Sequence, residues 1–346
     1  MSTTQRTEFE NFLYQHDEDA WSSVITDLLP YIHEVDRNAT QIWFKFYPLS
    51  LWYALENAKD PEDLKKRLLI QGNFKLKDQI DSSHAFLYGH RYWPEVKKAV
   101  EEHAAAFHAS VDTTLAGEVR KVADALATRL KTDKALLTGI TAVAFMTVLQ
   151  AGLANVSAAP GVIDITKKHS KKSPDSILRE RAEDNSQGLF GFLKTVDKEW
   201  TVTYDEADPR ARFKSINAEE LASAAARDQS QDWRARDQRC IEGPIPVECR
   251  SASCGTCWIG VLGGAEKLTD VKVREAKMIK EFGYISTDDP KPIIRLACMA
   301  QATGAVSIVI PPWNGIFGKP LKAEAMAEAQ ANMAVAENNS LKGVAN

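Results

Sequence analysis

The chain has 346 residues, with 43 Lys and Arg against 47 Asp and Glu and a net charge of −4. That length allows two or more domains. The near-neutral charge leaves no basic excess for a nucleic-acid backbone, and 44% hydrophobic with 26% charged residues is the composition of a globular protein.

In chain order, the first ten residues carry no apolar core of a signal peptide and no twin-arginine pair, so no export signal is read and a cytoplasmic location is expected. Residues 1–156 read as an all-α domain. Ala20–His33 has helical spacing with a kink expected at Pro30, and Trp43–Leu55 is rich in aromatics. Pro61 opens a further helix with Asp60 as its cap. Trp93–Phe107 is another, and Val111, Leu115, Val119, Val122, Leu126 and Leu130 form one stripe of an amphipathic helix. His84, His90, His103 and His108 fall close together. Imidazole pairs can hold haem or a metal, which would make a two-centre relay, but neither a C-x-x-C-H motif nor a Glu-x-x-His pair accompanies them. Ordinary surface or capping histidines are the favoured reading.

Ala135–Ile163 contains no charged residue, and its first part is apolar all round. Such a segment is a membrane span or a fully buried helix. A single span would put the chain's two halves on opposite sides of a bilayer, and Lys and Arg flank both ends alike, giving no direction. A buried or partner-facing helix is therefore expected. Membrane association through 135–156, peripheral to or anchored in the inner membrane, is the alternative. Residues 157–195 read as a linker with a basic stretch at Lys167–Lys172, and 319–346 as a tail with a short helix.

Between them, Cys249, Cys254, Cys257 and Cys298 give the spacing C-x4-C-x2-C…C. Soft thiolates select iron–sulfur or zinc over hard cations. A zinc ribbon pairs two C-x2-C knuckles, and only one is present. Five cysteines without a secretory signal do not make a disulfide framework. Two irons bridged by sulfide need two thiolates each, three from one loop and one from a remote segment. The small residues Ser251, Ala252, Ser253, Gly255 and Thr256 let backbone N–H groups turn toward the sulfurs. Cys240 lies outside the spacing and reads as a small, half-buried residue.

Around these cysteines, Trp200–Tyr204 and Ala211–Ile216 alternate like a hairpin, and Asn217 is placed to cap a helix running from Ala218 to about Arg227. A strand at Trp258–Leu262, a helix near Val273–Phe282, the ligand segment Ile293–Cys298 and a strand at Ala305–Ile310 follow. That order resembles a plant-type [2Fe–2S] ferredoxin of the β-grasp kind over 196–318. Ala252 stands where many ferredoxins have Gly, and insertions are expected at Asp228–Arg239 and Leu268–Pro292. The resemblance implies an α+β chain, a helical domain followed by a β-grasp domain, in which Cys249, Cys254, Cys257 and Cys298 hold a [2Fe–2S] cluster.

The implied function is electron transfer, not catalysis: a ferredoxin-like component docked to a larger redox complex such as a hydrogenase, dehydrogenase or respiratory assembly. The alternatives are an iron–sulfur subunit of a multi-subunit oxidoreductase, or the two-centre relay. No G-x-G-x-x-G after a strand and no P-loop marks a self-contained flavin or nicotinamide enzyme.

Overall fold

A computed structural model describes residues 6–183, 198–282 and 290–344. Part of the expected linker (184–195), the start of the ferredoxin-like region (196–197) and part of the expected insertion (283–289) lie outside the described residues. In chain order the helices are α1 Glu8–Tyr14, α2 Glu18–Leu28, α3 Glu34–Phe46, α4 Leu49–Asn57, α5 Pro61–Arg67, α6 Trp93–Ala106, α7 Leu115–Leu130, α8 Ala135–Ala151, α9 Leu153–Ala158, α10 Lys167–Ser170, α11 Pro174–Ala182, α12 Leu221–Ala226, α13 Trp233–Arg236, α14 Val273–Phe282 and α15 Lys319–Val344. The strands are β1 Gln71–Gly72, β2 Glu199–Thr203, β3 Arg212–Ile216, β4 Trp258–Gly263, β5 Ile294–Leu296, β6 Val306–Val309 and β7 Trp313–Asn314. The protein is α+β, and it divides into two compact units, Met1–Phe44 with Lys75–Glu180 and Lys45–Phe74 with Arg181–Asn346.

The first unit is helical and built around α8. Every residue from Leu136 to Leu149 is buried, and α1, α2, α6 and α7 pack on this helix. Each Leu, Ile or Phe buried there stabilises the unit by roughly 1.5–3 kcal/mol. Its polar residues do not spoil the interior: the Thr138, Thr141 and Thr147 hydroxyls donate to the carbonyls of Lys134, Leu137 and Val143 at 3.0, 2.8 and 2.8 Å. The apolar surface of α8 is thus used up inside its own unit. Among the described residues no helix is long and apolar enough to cross a membrane.

Local signals set most boundaries here. Pro30 sits in a 3-10 turn, Leu29–Tyr31, that ends α2 where a kink was expected. The α7 stripe starts at Leu115, after the cap Thr114, and leaves Val111 fully exposed. Asp36 is buried, and its carboxylate accepts the N–H groups of Tyr88 at 2.5 Å and Gly89 at 2.7 Å. The expected linker is partly packed structure, because α11 buries Ile177 against Val35, Tyr88 and Leu136.

The second unit holds a five-stranded sheet in the order β3-β2-β6-β4-β5. β2 and β6 are parallel, with Val202 opposite Val306, and the other neighbours are antiparallel. β1 and β7 form a separate ribbon pairing Gln71 with Asn314. Segment 45–74, expected with the helical domain, belongs to this unit because Phe46 is part of its tryptophan core. The Phe46 ring lies 5.2 Å from that of Trp258, and its carbonyl accepts from Trp313 Nε1 at 2.6 Å. Residues 319–344 form one helix, α15, packed on α4 with Ala325 and Ala329 buried, in place of a short helix with a frayed tail. Asn217 does not cap a helix: its side chain accepts from Trp200 Nε1 at 3.1 Å, Ala218 turns left-handed at φ 62°, and α12 starts only at Leu221.

Candidate metal centre

The loop from Cys249 to Cys257 connects into β4, and β5 runs out into Cys298, so two neighbouring antiparallel strands bring the remote sulfur to the loop. The Ala297 N–H donates to the Cys257 carbonyl at 2.9 Å and ties the two segments together beside the sulfurs. Within the loop, Arg250, Ala252 and Gly255 are left-handed, at φ 49°, 56° and 70°. A non-glycine residue there is strained by roughly 1–2 kcal/mol, and two such residues close together show a loop held in shape by its surroundings. The result is an inward turn of the backbone. Ser253 N–H donates to Cys249 Sγ at 3.2 Å, and Ser251 N–H lies 3.5 Å from the same sulfur. The Ala252 N–H is directed to the sulfur of Cys298. Thr256 Oγ1 lies 3.1 Å from Cys254 Sγ and 3.2 Å from a Glu248 carboxylate oxygen.

Electrostatically the four thiols act in two pairs, Cys249 with Cys254 and Cys257 with Cys298. Burial opposes ionising Cys249, but the Ser251 and Ser253 N–H groups and Cys254 outweigh it and bring the thiol down to about 6. Cys254 is pushed up, chiefly by burial. In the second pair, the bond from Cys257 lowers Cys298, and the same bond, with burial, raises Cys257 well above the ordinary thiol. In each pair one thiol ionises more readily than the other, and thiols must lose their protons to bind a metal cation. The pairs also feel one another, Cys254 acting on Cys257 and Cys249 on Cys298.

Among the described residues no group of three or more His, Cys, Asp or Glu gathers as it would around a single metal ion. Two pairs side by side are a different arrangement: a mononuclear ion asks three or four ligands to meet at one point, whereas a two-iron cluster asks two thiolates at each iron. The donor set and the inward N–H groups fit such a cluster.

Residues that spacing alone did not reveal hold this site. Glu275 and Arg295 are both fully buried and paired bidentately, Nε to Oε1 at 2.9 Å and Nη2 to Oε2 at 3.0 Å. The same carboxylate accepts the N–H of Leu296 at 3.0 Å, and Arg295 also donates to the Thr269 carbonyl at 2.7 Å. This pair clamps α14 to the strand that delivers Cys298. In the sequence Glu275 is one of several charges on an amphipathic helix and Arg295 a lone charge in an apolar strand, and nothing local pairs them. Phe282, at the other end of α14, lies against Gly255: a Cβ added there would stand 3.1 Å from its ring. Cys240 stays apart, donating to the Pro244 carbonyl at 3.4 Å, with burial pushing its thiol up to about 11.

The histidines of the helical unit separate. His84 and His90 meet, Nδ1 to Nδ1 at 2.8 Å, both buried. His103 Nε2 lies 3.1 Å from Glu118, and His108 is exposed beside Glu8 at 3.0 Å.

No family model and no solved structure matches the chain. Among curated proteins, tartrate-resistant acid phosphatase type 5 of Sus scrofa is 38% identical over 61 residues, 17% of this chain and 18% of that protein. The shared stretch spans less than a fifth of either chain and shows no family.

Proposed function

We propose that the second unit is a β-grasp ferredoxin-like domain and that the protein is an electron carrier holding one [2Fe–2S] cluster. The observation that carries this reading is the convergence of the segment bearing Cys298 on the Cys249–Cys257 loop, tied by the Ala297 N–H to the Cys257 carbonyl, with backbone N–H groups turned in toward Cys249. The sheet order supports the fold. Numbered within the sheet alone it is 2-1-5-3-4, with first and last strands parallel at the centre, as the β-grasp requires.

When bound, such a cluster supplies one-electron transfer at low potential, on the order of −400 mV for plant-type ferredoxins. Cys249, Cys254, Cys257 and Cys298 would hold it. The Ser251, Ser253 and Ala252 N–H groups donate to cysteine sulfurs and so favour added negative charge there. Ala252 and Cys257 are buried and exclude water from one side, while Cys249 and Cys254 remain half-buried, within reach of a docked protein. The Glu275–Arg295 clamp orients the segment bearing Cys298. Such partners use small, weak interfaces, consistent with a component of a larger redox complex.

Electron paramagnetic resonance with iron and haem analysis of anaerobically purified protein tests the reading. A rhombic signal on reduction and two irons per chain are expected. Protein that carries zinc, or no metal after reconstitution with iron and sulfide, would overturn it.

A further inference from the structure

Helix α14 lies along the candidate cluster loop and touches it at both ends. Arg274 Nη2 donates to Ser253 Oγ at 3.3 Å, and Ser253 in turn donates its N–H to Cys249 Sγ. Phe282 closes over Gly255. The inward face of the helix is used up by Glu275, Ile279 and Phe282, all buried. Its outward side carries Arg274 and Lys277, with Lys272 immediately before the helix, all exposed, and Val273 is 89% exposed. Among the described residues neither Lys272 nor Lys277 has an ion-pair partner. The nearby acids only partly offset this charge. Glu275 is neutralised by Arg295, Glu242 is taken by Arg250 and Asp270 by Lys291, whereas Glu248, bonded to the neutral Gln71 and Thr256, keeps its charge. Among the described residues Glu281, exposed near the far end of the helix, is the other such acid. The exposed side of α14 thus sets three cations and one bare valine beside the half-exposed cysteines.

We propose that this face of α14 is the docking surface for an acidic redox partner protein, with Val273 as the apolar contact and Lys272, Arg274 and Lys277 as the steering charges. The inference rests on the electron-transfer reading. Local charge beside the point of electron exit sets the encounter rate, and its effect falls as salt shortens the screening length from about 10 Å at 0.1 M.

The experiment uses the full-length, cluster-loaded protein, reduced anaerobically with dithionite and freed of excess reductant. Stopped-flow oxidation by ferricyanide moves one electron from the reduced protein to each ferricyanide, giving ferrocyanide. The variant is read against the parent, because the cluster's own negative charge also repels the probe. Lys272→Glu/Lys277→Glu is expected to cut the low-salt rate on the order of 10-fold, a deficit that closes as salt rises, with iron content and resonance spectrum kept. Poly-L-glutamate, an acidic protein face in miniature, should slow the parent and not the variant. A variant that matches the parent at low salt, or a deficit that salt leaves unchanged, overturns the docking surface. A parent that never loads iron overturns the electron-transfer reading instead.

Discussion

Each unit buries a cluster of metal-ligating side chains, and the two clusters are built on opposite plans. In the helical unit, His84 and His90 satisfy one another Nδ1 to Nδ1, and the His84 ring packs 4.1 Å from Trp93, whose Nε1 is held by Asp81 at 2.8 Å. The Ile80 backbone bonds to His84, but among the described residues no third ligand gathers with the pair. In the second unit, strained backbone points N–H groups at two of the four sulfurs, those of Cys249 and Cys298, and two of the cysteines keep an open side. Ligand residue types are common to both. What sets the candidate centre apart is a loop held in left-handed backbone at Arg250, Ala252 and Gly255 beside its sulfurs.

The largest effect that would break this contrast is on metal content. Cys298→Ser should reduce iron from two per chain to near zero, whereas His84→Gln should leave iron unchanged. Iron analysis and resonance spectra of the two variants decide it, and iron loss in the histidine variant would put the helical unit back among the cofactor sites.

Next is stability of the clamp. Glu275→Leu strands a fully buried guanidinium, which costs about 3–5 kcal/mol. Chemical denaturation should show a loss of that size, and a far smaller one for Lys277→Leu on the exposed side of the same helix.

Acid then distinguishes the units. Burial holds His90 down at about 4 and His84 well below the ordinary imidazole value of 6.5. The unfolded chain therefore binds protons that the folded pair refuses, so stability is intact above about pH 6.5 and declines as pH falls toward 4. Thermal melts across that window should show the helical unit weakening, and His84→Gln/His90→Gln should flatten the profile.

The smallest effect is expected at Ala252→Gly. Relief of left-handed strain, roughly 1–2 kcal/mol, is offset by loss of a buried methyl, about 0.8 kcal/mol, and by the added chain entropy of glycine, roughly 0.5–1 kcal/mol. A net change within about 1 kcal/mol by denaturant titration would fit. Gly255→Ala should do worse, having both φ 70° and the Phe282 ring against it.

Much of the second unit was legible because its signals are local. Alternation in Trp200–Val202–Tyr204 and in Phe213–Ser215 marks two strands, and the amphipathic run Val273–Phe282 marks α14 to the residue. The apolar run in α8 is equally plain, and its buried location follows from the helices around it. What escaped sequence reading depends on pairs far apart in the chain. Phe46 meets Trp313 across 267 positions, so segment 45–74 carried no hint of its unit. Glu275 and Arg295 look like surface charges until their bond is seen. Asn217 followed by Glu220 has the composition of a cap, but the side chain found Trp200 first. In the cysteine loop, spacing named the four thiols, while their division into two pairs came from the fold.

The bond from the Glu275 carboxylate to the Leu296 N–H has one more consequence. It anchors the strand leading to Cys298 by protein contacts alone. On the proposed reading, removing a cluster by oxidation or chelation should leave the Cys298 sulfur beside Cys257, so that iron and sulfide recharge the site in place, without a refolding search.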